Sequence, residues 1–143
     1  MCIDAEIRAA AASLVSEFAW LIDHGRASEA IGLFTEDAVL TFAPGSPKPG
    51  IIRGKSELEL FLAARQAHAG LTSRHIVSNL RLGELAGGRV EAHSVFTVYR
   101  SESAAREPMP AFISDVEDTL EKESDGAWRI AARTIRPIFA RQP

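Results

Sequence analysis

The stretch Thr72-Ser-Arg-His-Ile-Val-Ser-Asn-Leu-Arg-Leu82 is where the chain changes its hydrophobic period. Upstream, apolar side chains recur at helical spacing. From Thr72 onward they alternate with polar ones, the two-residue repeat of a strand with one buried face. The alternation places His75, Val77, Asn79 and Arg81 on one face, a row too polar for a plain core and too regular for a loop. Such a face either lines a pocket or satisfies polar groups inside a core.

Downstream, alternating segments succeed one another at about 73–85, 89–100, 111–123 and 127–138. Ala86-Gly87-Gly88 and Ser124-Asp125-Gly126 are hairpin signals joining the first and last pairs, and the connection from Ser101 to Pro110 is longer and polar. Short turns between consecutive strands predict an antiparallel meander. Both faces of the 89–100 segment carry bulk, with Val90, Phe96 and Val98 on one and His93, Val95 and Tyr99 on the other. A sheet covered on one side alone shows a cleaner polar face, so the outer face is expected to bury against a second copy in a two-fold dimer.

Upstream, Ile7, Ala11, Leu14, Val15, Phe18, Leu21 and Ile22 form a helical stripe over residues 4–23, closed at Asp23-His24-Gly25. Ser28 opens a shorter helix through Phe34, and Ala38–Phe42 reads as a short strand. Ala43 to Gly50 holds Pro44, Pro47 and Pro49 and reads as a loop able to act as a lip. After Ile51–Gly54, Ser56 and Glu59 form a capping box ahead of a third helix ending near Gly70, with Glu57, Glu59 and Arg65 on its exposed face. Helices first and a meander afterwards make the class α+β.

At 143 residues the chain has the length of one domain, 1–143, that buries roughly two thirds of its unfolded surface without a metal or disulfide. It has 46% apolar and 24% charged residues, and no apolar run is long enough to span a bilayer. The net charge of -3 gives no support to nucleic-acid binding, so the expected partner is a small molecule or a protein chain. Cys2 is the only cysteine, and His68, His75 and His93 stand at no recognised ligand spacing, so neither metal nor cofactor is expected. The first residues carry acids where a secretory signal carries positive charge, and Glu17 and Asp23 interrupt the apolar helix behind them, so the expected location is the cytoplasm.

The phrases Leu33-Phe-Thr-Glu-Asp-Ala38, Arg53-Gly-Lys-Ser56, Ser73-Arg-His-Ile-Val-Ser-Asn79 and Asp125-Gly-Ala-Trp-Arg-Ile130 stand in an order that resembles the SnoaL-like group of the nuclear transport factor 2-like superfamily. The resemblance covers nearly the whole chain and implies a cone-shaped α+β barrel, three helices on a curved, mainly antiparallel sheet. This fold hosts many activities, so activity has to be argued from side chains.

His75 is the leading candidate, since an imidazole on an inward strand face exchanges protons near neutral pH and is tuned by a neighbouring carboxylate. The scytalone dehydratase branch is the most similar. Its resemblance implies that Asp23, at the end of the first helix, works with His75 in a water-eliminating or enolising proton transfer. The expected function is a cofactor-independent lyase or isomerase of dehydratase or cyclase type, acting on a small cyclic or polyketide-like substrate. His75 and Asp23 would be catalytic, with Trp20, Phe42, Asn79 and Tyr99 holding the substrate. Polyketide cyclases of the group use a carboxylate on a later strand, a role open to Asp115 or Asp118 by chemistry alone. Ketosteroid isomerases of this fold need a tyrosine and a carboxylate where this chain has Phe18 and about Phe42, so that reading loses both donor and base. The rival class is a non-catalytic binding protein or the small subunit of a ring-hydroxylating oxygenase, whose last strand also tends to read Trp-Arg-Ile followed by arginines. Arg129, Arg133 and Arg136 read as solvated or paired with Glu117, Asp118 and Glu121, and His75 could equally satisfy a buried Asn79.

Overall fold

The computed structural model describes residues 2–102 and 109–141. Most of the connection expected between Ser101 and Pro110 therefore lies outside the described residues.

Helix α1, Ala5–Asp23, begins where the Asp4 carboxylate accepts the Ile7 N–H at 2.9 Å, an N-cap that satisfies one of the four free amides of the first turn. It buries Ala11, Leu14, Val15, Phe18, Ala19, Leu21 and Ile22, the stripe read from the sequence with Ala19 added and Ile7 only partly buried. Gly25, at φ 74°, turns the chain into a 3-10 segment, Ala27–Leu33. Strand β1, Phe34–Phe42, then starts four residues earlier than Ala38. Phe34 is fully buried and pairs with Ile130 of the last strand, which draws it out of the expected helix into the sheet, and residues 35–37 continue as strand.

Strand β2, Gly50–Arg53, returns antiparallel to β1, and helix α2, Gly54–Ala67, follows directly. The expected capping box is absent because the helix starts two residues before Ser56. Glu57 instead reaches back to accept the Arg53 N–H at 2.9 Å. α2 buries Leu58 and Leu62 completely.

Strands β3 Thr72–Glu84, β4 Val90–Ser101, β5 Pro110–Lys122 and β6 Trp128–Ala140 form the expected meander, each within about two residues of its sequence boundaries. The sheet order is β2-β1-β6-β5-β4-β3, antiparallel except for the parallel β1–β6 pair. The strand pair among the helices is thus an extension of the meander. The sheet curves without closing, with β2 and β3 as its edges, and α1 lies along β3. Between helices and concave face sits the core, including Phe18, Phe34, Leu40, Leu62, Phe96, Val116 and Ile130.

The face predicted for β3 breaks at Asn79. This residue has φ 56° and forms a bulge, so that Ser78 pairs with Val95 but Arg81 with His93. One extra residue inverts the alternation, because side chains change sides at every position. Leu80 and Leu82 therefore pack on the core, while Asn79 and Arg81 are exposed.

Candidate functional site

Asp23 is the last residue of α1, and β3 passes beside it. Its side chain is only 4% exposed and takes three hydrogen bonds. Oδ2 accepts the backbone N–H of His75 at 2.6 Å, and Oδ1 accepts the Ser73 hydroxyl at 2.7 Å and meets His75 Nδ1 at 2.6 Å. Burial by itself raises the carboxyl pKa. The bonds and charge of His75, with Ser73, outweigh it and hold Asp23 below its ordinary range. An ionised carboxylate only accepts, so Nδ1 carries the proton and Nε2 is the ring nitrogen left to exchange one with a ligand.

A second layer orients this pair. Arg65 Nη2 donates to Ser73 Oγ at 2.9 Å, and Arg74 Nη1 donates to the backbone carbonyls of Asp23 and Ser73 at 3.0 and 2.7 Å. Burial and then the nearby Arg100 charge hold Arg65 below its ordinary pKa, against the pull of Asp23.

His75 sits edge-on to Phe96, with ring centroids 5.8 Å apart, and lines a cavity of about 140 Å³. Phe18, Phe42, Phe96 and Phe112 supply aromatic wall, Arg100 lies on the rim, and Ser46 and Pro47 come from the proline-rich loop. A cavity of roughly 150 Å³ takes one benzene ring, so the site as built fits a single six-membered ring.

Beneath Phe18 and Phe96 lies a buried ion pair. Arg133 Nε and Nη2 donate to Asp118 Oδ1 and Oδ2 at 2.7 and 2.9 Å, and both side chains are fully shielded from solvent. The guanidinium carbon stands 4.4 Å from the Phe18 ring centre and 5.4 Å from that of Phe96. These contacts hold the cation through its quadrupole attraction to the rings. Nη1 has no partner among the described residues.

A family profile describing a SnoaL-like domain matches residues 4–134. The chain belongs to the SnoaL-like domain family. Comparison with curated proteins gives no match. Among solved structures, this SnoaL-like domain is similar to ActVI-ORFA from Streptomyces coelicolor at 18% identity, covering 94% of this chain and 98% of that one, with a TM-score of 0.80. A Novosphingobium aromaticivorans protein named after scytalone dehydratase matches at 18% identity over 96% of this chain and 87% of its own, TM-score 0.75. Another protein of that organism, named as the beta subunit of an aromatic-ring-hydroxylating dioxygenase, matches at 18% over 97% and 94%, TM-score 0.80. At these identities the likeness is one of fold.

Within the SnoaL-like domain, Asp23, His75 and Phe42 come together, and three other expected site residues do not. Trp20 is 45% exposed and stacks on His24, because two residues past Phe18 is about 200° around the helix. Tyr99 lies between Val98 and Arg100, which line the cavity, so strand alternation turns it to the outer face. Asn79 is carried outward by its bulge and cannot satisfy His75. Asp115 is exposed on the outer face, and Asp118 is committed to Arg133.

Of the remaining arginines, Arg129 pairs with Glu123 and Asp125 and not with Glu121, while Arg136 meets Glu117 at 3.8 Å. Among the described residues no cluster of three metal-ligating side chains forms. His68 meets Glu102, and His93 meets Glu91. No helix among them is long and apolar enough to cross a membrane. Sequence reasoning missed Ser73, Arg65 and Arg100. Ser73 and Arg100 share strand parity with His75 and Val98, a signal legible in the alternation, whereas Arg65 was masked by the charged helix face around it.

Proposed function

We propose that this SnoaL-like domain is a cofactor-independent lyase or isomerase acting on a small cyclic substrate. The ring lies in the aromatic cavity, and His75 Nε2 takes a proton from a carbon beside a carbonyl and returns it to the same skeleton or to a departing oxygen. Asp23 fixes the imidazole tautomer and stabilises the imidazolium formed in between. The observation that carries this reading is the 2.6 Å bond between a shielded, ionised Asp23 and the Nδ1 of an imidazole that lines a largely apolar, half-open cavity. A structural pairing needs no such opening. The names of two similar structures, one after scytalone dehydratase and one as the beta subunit of an aromatic-ring-hydroxylating dioxygenase, agree with a ring-bearing ligand.

The test is a thermal-shift screen of cyclic ketones and hydroxyketones on the wild type and His75→Ala, followed by proton NMR of each hit in heavy water. Wild-type exchange or elimination that disappears in the variant supports the proposal. Hits that bind both proteins equally and neither exchange nor turn over would replace it with the binding-module reading. A two-fold dimer through the outer sheet face is proposed alongside, supported by Ile76, half exposed on β3 near the outward Tyr99. Light scattering giving the monomer mass at micromolar concentration excludes it.

A further inference from the structure

Charge on the described lining of the cavity is one-sided. Among the described residues, its lining contains one imidazole, His75, one guanidinium, Arg100, and no carboxylate. Among the described residues, Arg100 makes no ion pair. It stands directly opposite Ser73 in the β3–β4 register, and Arg65 bonds that same serine, so two guanidinium groups approach one side of the dyad. Asp23 is the acid beside them, and it is already saturated by Ser73 and His75. Two neighbouring cations, only one of them within reach of the Asp23 charge, favour a further anion at the rim, where the planar fork of an arginine matches a carboxylate in bidentate fashion.

We infer that the cavity takes a monocyclic carboxylate, its ring among Phe18, Phe42, Phe96 and Phe112 and its carboxylate on Arg100 beside His75. The cavity volume sets the single ring, and the rim sets the charge. This inference rests on the cavity being the ligand site, as proposed above, and adds the class of ligand. Arg100 anchors a group that does not react, which leaves the ring carbons next to Nε2.

Benzoate, benzamide and benzamidine are near-isosteres carrying negative, zero and positive charge, and their binding is read by NMR shift titration of His75 and the cavity phenylalanines at neutral pH and low salt. Benzoate is expected to bind about tenfold more tightly than benzamide, as a charge-assisted bond at a partly exposed rim allows, with benzamidine weakest. The gap between benzoate and benzamide should vanish in Arg100→Gln, persist in part in Arg100→Lys, and shrink at high salt. Arg100 is exposed, so the glutamine variant retains the core. Equal affinity for all three probes, or a gap that survives Arg100→Gln, overturns the carboxylate assignment and leaves the dyad reading standing. Failure of every probe to shift His75 removes the cavity as the ligand site and both readings with it.

Discussion

Replacing Asp23 by asparagine changes one atom and reverses the logic of the site. The backbone N–H of His75 is a fixed donor 2.6 Å from Oδ2, so the asparagine carbonyl must take that place. Its amide group then stands where Oδ1 was, facing Ser73 Oγ and His75 Nδ1. An amide donates, so Nδ1 has to become the acceptor and the imidazole proton moves to Nε2. The ring keeps its position and presents a donor to the cavity where it presented a base. In the serine-protease triad, the same exchange of Asp for Asn lowers turnover by about 10⁴ while preserving geometry, and a loss of that order is expected here.

Three charge-assisted bonds also become neutral ones, at a cost of about 1 kcal/mol each, or about 3 kcal/mol in all. The carboxylate is nearly solvent-free, so screening does not reduce the figure. For a chain of this size the melting temperature should fall by roughly 6–12 °C. Long-range proton–nitrogen NMR of the imidazole reads the tautomer directly and needs no substrate. Protonated Nδ1 in the wild type and protonated Nε2 in Asp23→Asn is the expected pair of spectra. An unchanged tautomer, or an unchanged melting temperature, would refute the reasoning.

Acid should erode the same interaction. The folded pKa of Asp23 is depressed below its ordinary 3.8, so the unfolded chain takes up this proton first as pH falls. The stabilisation is fully present above that value and is lost as pH drops through the folded pKa. The stability gap between wild type and Asp23→Asn, followed by urea titration, should therefore narrow only below about pH 4. Arg133→Met leaves Asp118 buried and unpaired and should cost about 3–5 kcal/mol, whereas adding Asp118→Leu should recover much of it, measured by chemical denaturation. Equal cost in the single and double variants would show that the pair is not held as a unit. At Asn79, glycine should be tolerated and valine should cost about 1–2 kcal/mol, because φ 56° admits asparagine's short polar side chain but crowds a β-branched one. A neutral Asn79→Val would mean that the bulge can move.

Local pattern carried much of this protein. Residues 5–23 form a helix because their apolar stripe repeats at helical spacing, and the strands from Thr72 onward exist because the repeat shortens to two. Gly87 and Gly126, both at positive φ, mark the two hairpins in sequence and structure alike. Asp23 and His75 were nameable from their neighbouring phrases, although the two lie far apart in the chain and nothing local brings them together.

Tertiary structure decided which way side chains face and which strands meet. One residue in the left-handed region at Asn79 inverted the second half of β3, and a parity argument fails beyond such a bulge. Phe34 became strand because β6, nearly a hundred residues later, offered it a backbone partner at Ile130 and a buried place. The enclosure of Asp118 and Arg133, and the approach of Arg65 and Arg100 to Ser73, are likewise products of β-register and helix placement. Charge on a side chain can be read from its letter, whereas its solvation is a property of what folds over it.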